Sequence, residues 1–153
     1  MENGPTVDVN GEAAETAVEI SEEELRALAT LAQQDSFRNV EVVAGTETDP
    51  RLPSPVDAAV VLNSYHEFTQ HQAMLDAIRR ALRPGGLLVM VDNASPPDFF
   101  PGQRDAQASH HALDPVFVDA ELRAAGFEIV DRQDAFIVRP AQQWLIVARR
   151  PAR

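Results

Sequence analysis

Val56-Asp57-Ala58-Ala59-Val60-Val61-Leu62 is followed by Asn63-Ser64-Tyr65-His66-Glu67-Phe68, and 25 residues after Leu62 comes Leu87-Leu88-Val89-Met90-Val91. Both apolar runs are short, rich in β-branched residues and almost free of charge. That composition predicts strands buried on both faces of a parallel sheet. Between them, residues 70–82 place Met74, Leu75, Ile78 and Leu82 at helical spacing, and Arg83-Pro84-Gly85-Gly86 stops that helix. A strand, a helix and a strand in this order form the crossover unit of an α/β sheet.

The same alternation extends in both directions. Upstream, Thr16–Ile20 reads as a strand, and Ser21 with Glu24 three residues later is a capping box. Leu25, Leu28, Ala29 and Ala32 then form one apolar helical face, with an expected end near Asp35. Val40–Val43 is a strand stopped at Gly45, and residues 46–55 hold three prolines and read as loop. Downstream, residues 93–113 form a long loop, long enough to suspect function. Asp114 caps a third helix with Pro115 at its first position, and Gly126 ends it. Phe127–Val130 and Trp144–Val147 close the chain as strands around a turn near Arg139-Pro140, and the lone Trp144 reads as packing. Residues 1–13 are expected as an acidic, flexible arm and residues 14–153 as one domain, with Val7–Gly11 as a hairpin signal within the arm.

Composition bounds the function. The 153 residues hold no cysteine and no run long enough to span a membrane, and all 13 basic residues are arginine. Disulfides, thiolate ligands and lysine chemistry are excluded. Residues 1–50 carry 12 acidic residues against Arg26 and Arg38, a balance of −10 out of a total of −11. Such a surface repels phosphate backbones, so no nucleic acid is expected as a partner. The acidic N-terminus lacks the layout of a signal peptide, and a cytoplasmic location is the expectation.

From Thr16 onward the chain resembles class I S-adenosylmethionine-dependent methyltransferases. The carrying segments are AVEIS, NVEVVAGTETDPRLP, VDAAVVLNSYHEF, AMLDAIRRALRPGG, LLVMVDN, ELRAAGFEIV and WLIVARRP, in the family's order. The resemblance implies a reduced Rossmann-like sheet, mostly parallel with a C-terminal antiparallel hairpin strand, and helices on both faces. It implies S-adenosylmethionine as cofactor and a small molecule as acceptor. Glu19, at its strand end beside Ile20, matches the acidic residue that accepts from the cofactor ribose hydroxyls. Gly45, Thr46 and Glu47 fall on the adenine side, and Asn63 and Ser64 on the side of the methionine and the transferred methyl. Tyr65, His66 and Glu67 follow as catalytic candidates, and His110 and His111 fall on the substrate side.

The family also has a glycine-rich turn after its first strand. Here Gly4 and Gly11 are the only glycines before Gly45, and six residues separate Val9 from Thr16. A normal crossover does not fit in that space. This departure supports an alternative: a non-catalytic relative that has lost cofactor binding and serves as a binding or dimerising partner. A homodimer or a partner chain completing the sheet would fill the gap.

His66 is the sharpest chemical signal. Imidazole exchanges protons near neutral pH and can deprotonate a hydroxyl or amine as it attacks a methyl donor. The competing reading is a loop that only packs its aromatics. HEFTQH, His66 to His71, misses the one-turn spacing of a zincin helix, because Gln70 stands where the second histidine belongs. Adding His110 and His111 makes a histidine–carboxylate site conceivable, but surface histidines are the preferred reading and no metal is expected.

Overall fold

The computed structural model describes residues 15–19, 21–34, 40–53 and 55–153. The expected arm, its hairpin signal, Ile20 and Asp35 lie outside the described residues, and the first helix ends at Ala32, ahead of the expected end near Asp35.

The described elements run β1 (Glu15–Glu19), α1 (Glu22–Ala32), β2 (Val40–Ala44), β3 (Val56–Leu62), α2 (His71–Ala81), β4 (Leu82–Asn93), α3 (Arg104–Ser109), α4 (Pro115–Ala124), β5 (Glu128–Ile137) and β6 (Gln143–Arg149). β1 and β2 pair in parallel, with Glu19 level with Ala44. The other four strands form a sheet in the order β3-β4-β6-β5. β3 and β4 are parallel, and β6 runs antiparallel to both β4 and β5. The α/β class and the closing hairpin expected from the sequence are therefore present.

Local chemistry sets the element ends. Ser21 Oγ accepts from the Glu24 backbone N–H at 3.4 Å, and three glutamates fill the first turn of α1. Asp114 Oδ1 accepts from Val116 N–H at 2.9 Å, and Pro115 occupies the first position of α4. Gly126 ends that segment at φ 90°, a conformation that favours glycine.

Two expectations are corrected. The LRPGG segment does not merely stop α2, because β4 begins at Leu82, which pairs with Val56 ahead of a register shift. Gly86 sits within this segment because a Cβ there would meet Arg83 O at 2.8 Å and Asp57 O at 3.0 Å. β3 is also not buried on both faces, since Val60 is 61% and Leu62 59% exposed.

The core lies on the other face of the four-stranded sheet. Leu88 and Met90 of β4 and Trp144, Ile146 and Ala148 of β6 pack against Met74, Leu75 and Ile78 of α2 and Val118 and Leu122 of α4. Each large apolar side chain buried there contributes roughly 1.5–3 kcal/mol. Trp144 is fully buried as expected, and its Nε1–H donates to Leu113 O at 3.0 Å. That bond ties the end of the long loop to the sheet, directly below the candidate site.

Candidate functional site

The chain turns sharply as β3 ends. Asn63 takes φ 51°, and Tyr65–Glu67 form one 3-10 turn. This turn sends Tyr65 and His66 inward, where both are buried, while Glu67 stays exposed.

His66 meets Asp92 at the end of β4. Asp92 is fully buried. One carboxylate oxygen accepts from the His66 backbone N–H at 3.0 Å, and the other lies 2.8 Å from His66 Nδ1 and accepts from Asn93 N–H at 2.7 Å. A carboxylate against Nδ1 requires the proton on that nitrogen, so the Nε2 lone pair points the other way. There Glu67 Oε1 stands 3.8 Å off, beyond hydrogen-bond reach.

That lone pair borders a cleft of about 520 Å³ between the 3-10 turn and α3, lined among others by Glu67, His71, Arg104 and His111. The volume suits a small organic molecule. α3 is held in place by Gln107, whose Nε2–H donates to Phe100 O at 3.1 Å and whose Oε1 accepts from Asp114 N–H at 2.9 Å. His111 is pinned at φ 62°: its N–H donates to Ala108 O at 3.0 Å and its carbonyl accepts from Asn93 Nδ2–H at 3.0 Å. Its ring stands edge-on to His66, with centroids 5.3 Å apart.

Beneath the cleft, Glu121 of α4 gathers three partners. Tyr65 Oη–H donates to it at 2.6 Å, Arg104 Nε–H at 2.5 Å, and His71 Nε2 lies 3.6 Å away. Burial first, and the Glu121 carboxylate second, push the Tyr65 hydroxyl well above its ordinary pKa. Burial opposes the charge on Arg104, but its bond to Glu121 outweighs that and raises its pKa. The cluster locks the turn to α3 and α4.

Not every candidate lines the cleft. His66, Glu67 and His111 do, whereas Tyr65 spends its hydroxyl on Glu121 in the core. His110 stacks on Phe100 at 5.0 Å, and its Nδ1 lies 2.8 Å from Ala106 O. Asn63 Oδ1 accepts from Gln143 Nε2–H at 2.7 Å. Ser64 flanks the 3-10 turn as its N-cap. Thr46 Oγ1 accepts from Asp49 N–H at 3.0 Å within the loop after β2. Glu19 ends β1, level with the residue before Gly45, while Glu47 is exposed one residue beyond Thr46. Asp92 was visible in the sequence only as a strand end, and Arg104 and Glu121 carried no signal.

The methyltransferase domain pattern matches residues 7–88, more than half of the chain. The chain belongs to the methyltransferase domain family. Solved structures agree on the fold. A SAM-dependent methyltransferase from Aquifex aeolicus is 19% identical, with TM-score 0.73, 92% of this chain and 71% of that chain covered. The [4+2]-cyclase SpnF is 17% identical, with TM-score 0.79 and coverages of 94% and 70%. The glycopeptide N-methyltransferase MtfA, complexed with S-adenosyl-L-homocysteine, is 18% identical, with TM-score 0.69 and coverages of 87% and 71%. No curated protein sequence matches the chain. Among the described residues, no helix of this methyltransferase-family fold is long and apolar enough to cross a membrane.

Proposed function

We propose that this chain transfers a methyl group from S-adenosylmethionine to an oxygen or nitrogen nucleophile of a small molecule bound beside His66. The observation that carries this reading is the His66 Nδ1–Asp92 contact of 2.8 Å, which leaves Nε2 as a proton acceptor on the cleft wall.

The cofactor side rests on position. Glu19 and the Gly45-Thr46 pair stand together at the carboxyl ends of parallel strands, where open α/β sheets take their ligands. Glu19 would accept from two vicinal ribose hydroxyls, and the Thr46–Glu47 segment would border the adenine, as the resemblance implies. Ile20, Asn63 and Ser64 complete the cofactor side of this reading.

When bound, the cofactor supplies an electrophilic methyl on a sulfonium sulfur. His66 Nε2 would take the proton of the nucleophile as that nucleophile accepts the methyl, with the demethylated thioether as leaving group. Asp92 holds the ring in the required tautomer and stabilises the imidazolium that results. Such a base contributes about 10²–10⁴ in rate, and alignment of the two reactants supplies much of the rest. Glu67 and His111 border the acceptor.

Labelled S-adenosylmethionine, incubated with a panel of phenols, hydroxy acids and amines, tests this. Transfer to one class, lost in His66→Gln with cofactor affinity unchanged, is the expected result. Equal transfer by His66→Gln excludes the base role.

A second reading has its own support. β3 pairs only with β4 among the described residues and exposes Val60 and Leu62. A non-catalytic relative acting as a binding partner, or a homodimer, would cover that edge. Absence of transfer to every acceptor, together with a dimeric mass in solution, favours it.

A further inference from the structure

The base reading uses His66 and Asp92 but gives no task to the two groups that converge on the same lone pair. Ligand-type atoms of His66, Glu67 and His111 all lie within 4.8 Å of one another. A proton acceptor needs neither a second imidazole nor an adjacent carboxylate. A divalent transition cation can use both as ligands.

The details fit a cation. Metal-bound histidines usually give their other ring N–H to a carboxylate, which fixes the tautomer and raises ligand basicity. His66 already does so to Asp92 at 2.8 Å. Zinc bonds to nitrogen and oxygen are about 2.0–2.2 Å, so ligand atoms around the ion sit roughly 3.4 Å apart. Closing from 4.8 Å asks for a movement of about 1 Å. The exposed side chains of Glu67 and His111 can supply it, while His66 stays fixed in the core. The backbone of His111 is already held on both sides by Ala108 and Asn93. His71 lines the same cleft, yet its Nε2 is 3.6 Å from Glu121, outside the trio. Three protein ligands facing an open cleft leave further coordination positions for water or a small molecule, unlike a closed structural site.

We propose that His66, Glu67 and His111 bind one divalent transition-metal ion of the zinc class, and that the ion takes the Nε2 lone pair used in methyl transfer. Metal occupancy then switches the reaction off, since a coordinated Nε2 has no electron pair for a proton. The metal site stands on its own geometry; the switching role rests on the base reading.

Zinc chloride alone, titrated calorimetrically into the full chain without cofactor or acceptor, tests the site. One equivalent should bind at micromolar affinity or tighter. Glu67→Gln and His111→Ala should each weaken binding at least about tenfold, Asp92→Asn by about 10–100-fold, and His71→Ala not at all. Glu67 and His111 are exposed, so their variants keep the fold, and circular dichroism checks the fold of every variant. No heat at millimolar zinc, or undiminished binding by His111→Ala, overturns the site. In wild type, zinc should then abolish methyl transfer, chelator should restore it, and affinity for S-adenosylmethionine should stay constant. Undiminished transfer by the zinc-loaded protein overturns the switching role. Transfer without zinc binding overturns the metal site and leaves the base reading intact.

Discussion

The β1–α1–β2 segment and the four-stranded sheet are built by the same alternation of elements but by different energetics. α1 buries none of its residues, and the first 50 residues, which include this segment, carry −10 of the net −11. Among the described residues, the buried cluster lies on the four-stranded sheet, its helices and the turns between them, with Trp144, Leu75, Leu88 and Leu122 fully covered. Burial drives folding, so the second region supplies most of the stability. It also holds the cleft and the His66–Asp92 pair. The residues proposed to meet the cofactor stand on the thinly packed side. Rigidity thus lies where the proposed reaction moves a proton between fixed atoms.

Four substitutions probe this contrast. His66→Gln should have the largest effect, lowering turnover by about 10²–10⁴ with little change in cofactor affinity. Steady-state kinetics with a calorimetric affinity check it, and a shared loss in both would place His66 on the cofactor side instead. Trp144→Ala should cost about 3–5 kcal/mol in denaturant unfolding. Leu25→Ala, on the half-buried face of α1, should cost only about 0.5–1 kcal/mol. Similar losses at the two positions would erase the distinction between the regions. Glu19→Ala should weaken S-adenosylmethionine binding about 10–100-fold, as expected for lost hydrogen bonds to a charged group, without changing the unfolding midpoint.

The smallest effect is at Asp119, which pairs with Arg123 one turn on in α4 at 2.6 Å and links α4 to β5 through Arg132 at 3.3 Å. Burial pushes its carboxyl up, but the two guanidiniums outweigh this and hold it below the ordinary 3.8. A depressed folded pKa adds stability that is complete above the unfolded value and lost as pH falls through the folded one. Asp119→Asn should therefore remove about 0.2–1 kcal/mol at neutral pH and nothing at strongly acidic pH. Equal loss at both would assign the effect to packing.

The sequence made the elements legible where chemistry is local. Ser21 with Glu24 and Asp114-Pro115 marked helix starts, and Leu87–Val91 marked a buried strand. It was less informative where partners are distant. Asp92 lies 26 residues from His66, and Glu121 lies 56 from Tyr65, so no spacing rule joins either pair. α3 is six residues long without apolar periodicity, so it read as loop. The valines of β3 promised burial on both faces, yet burial depends on what packs above them, and Val60 is left open. HEFTQH drew attention to His71, whereas the fold brings His111 to His66.

The central claim is that this family member binds S-adenosylmethionine and uses it. Calorimetric titration of the purified full chain with S-adenosylmethionine tests that most directly. One equivalent binding at micromolar affinity is the predicted result. No heat at millimolar cofactor would contradict it and leave the partner reading in its place.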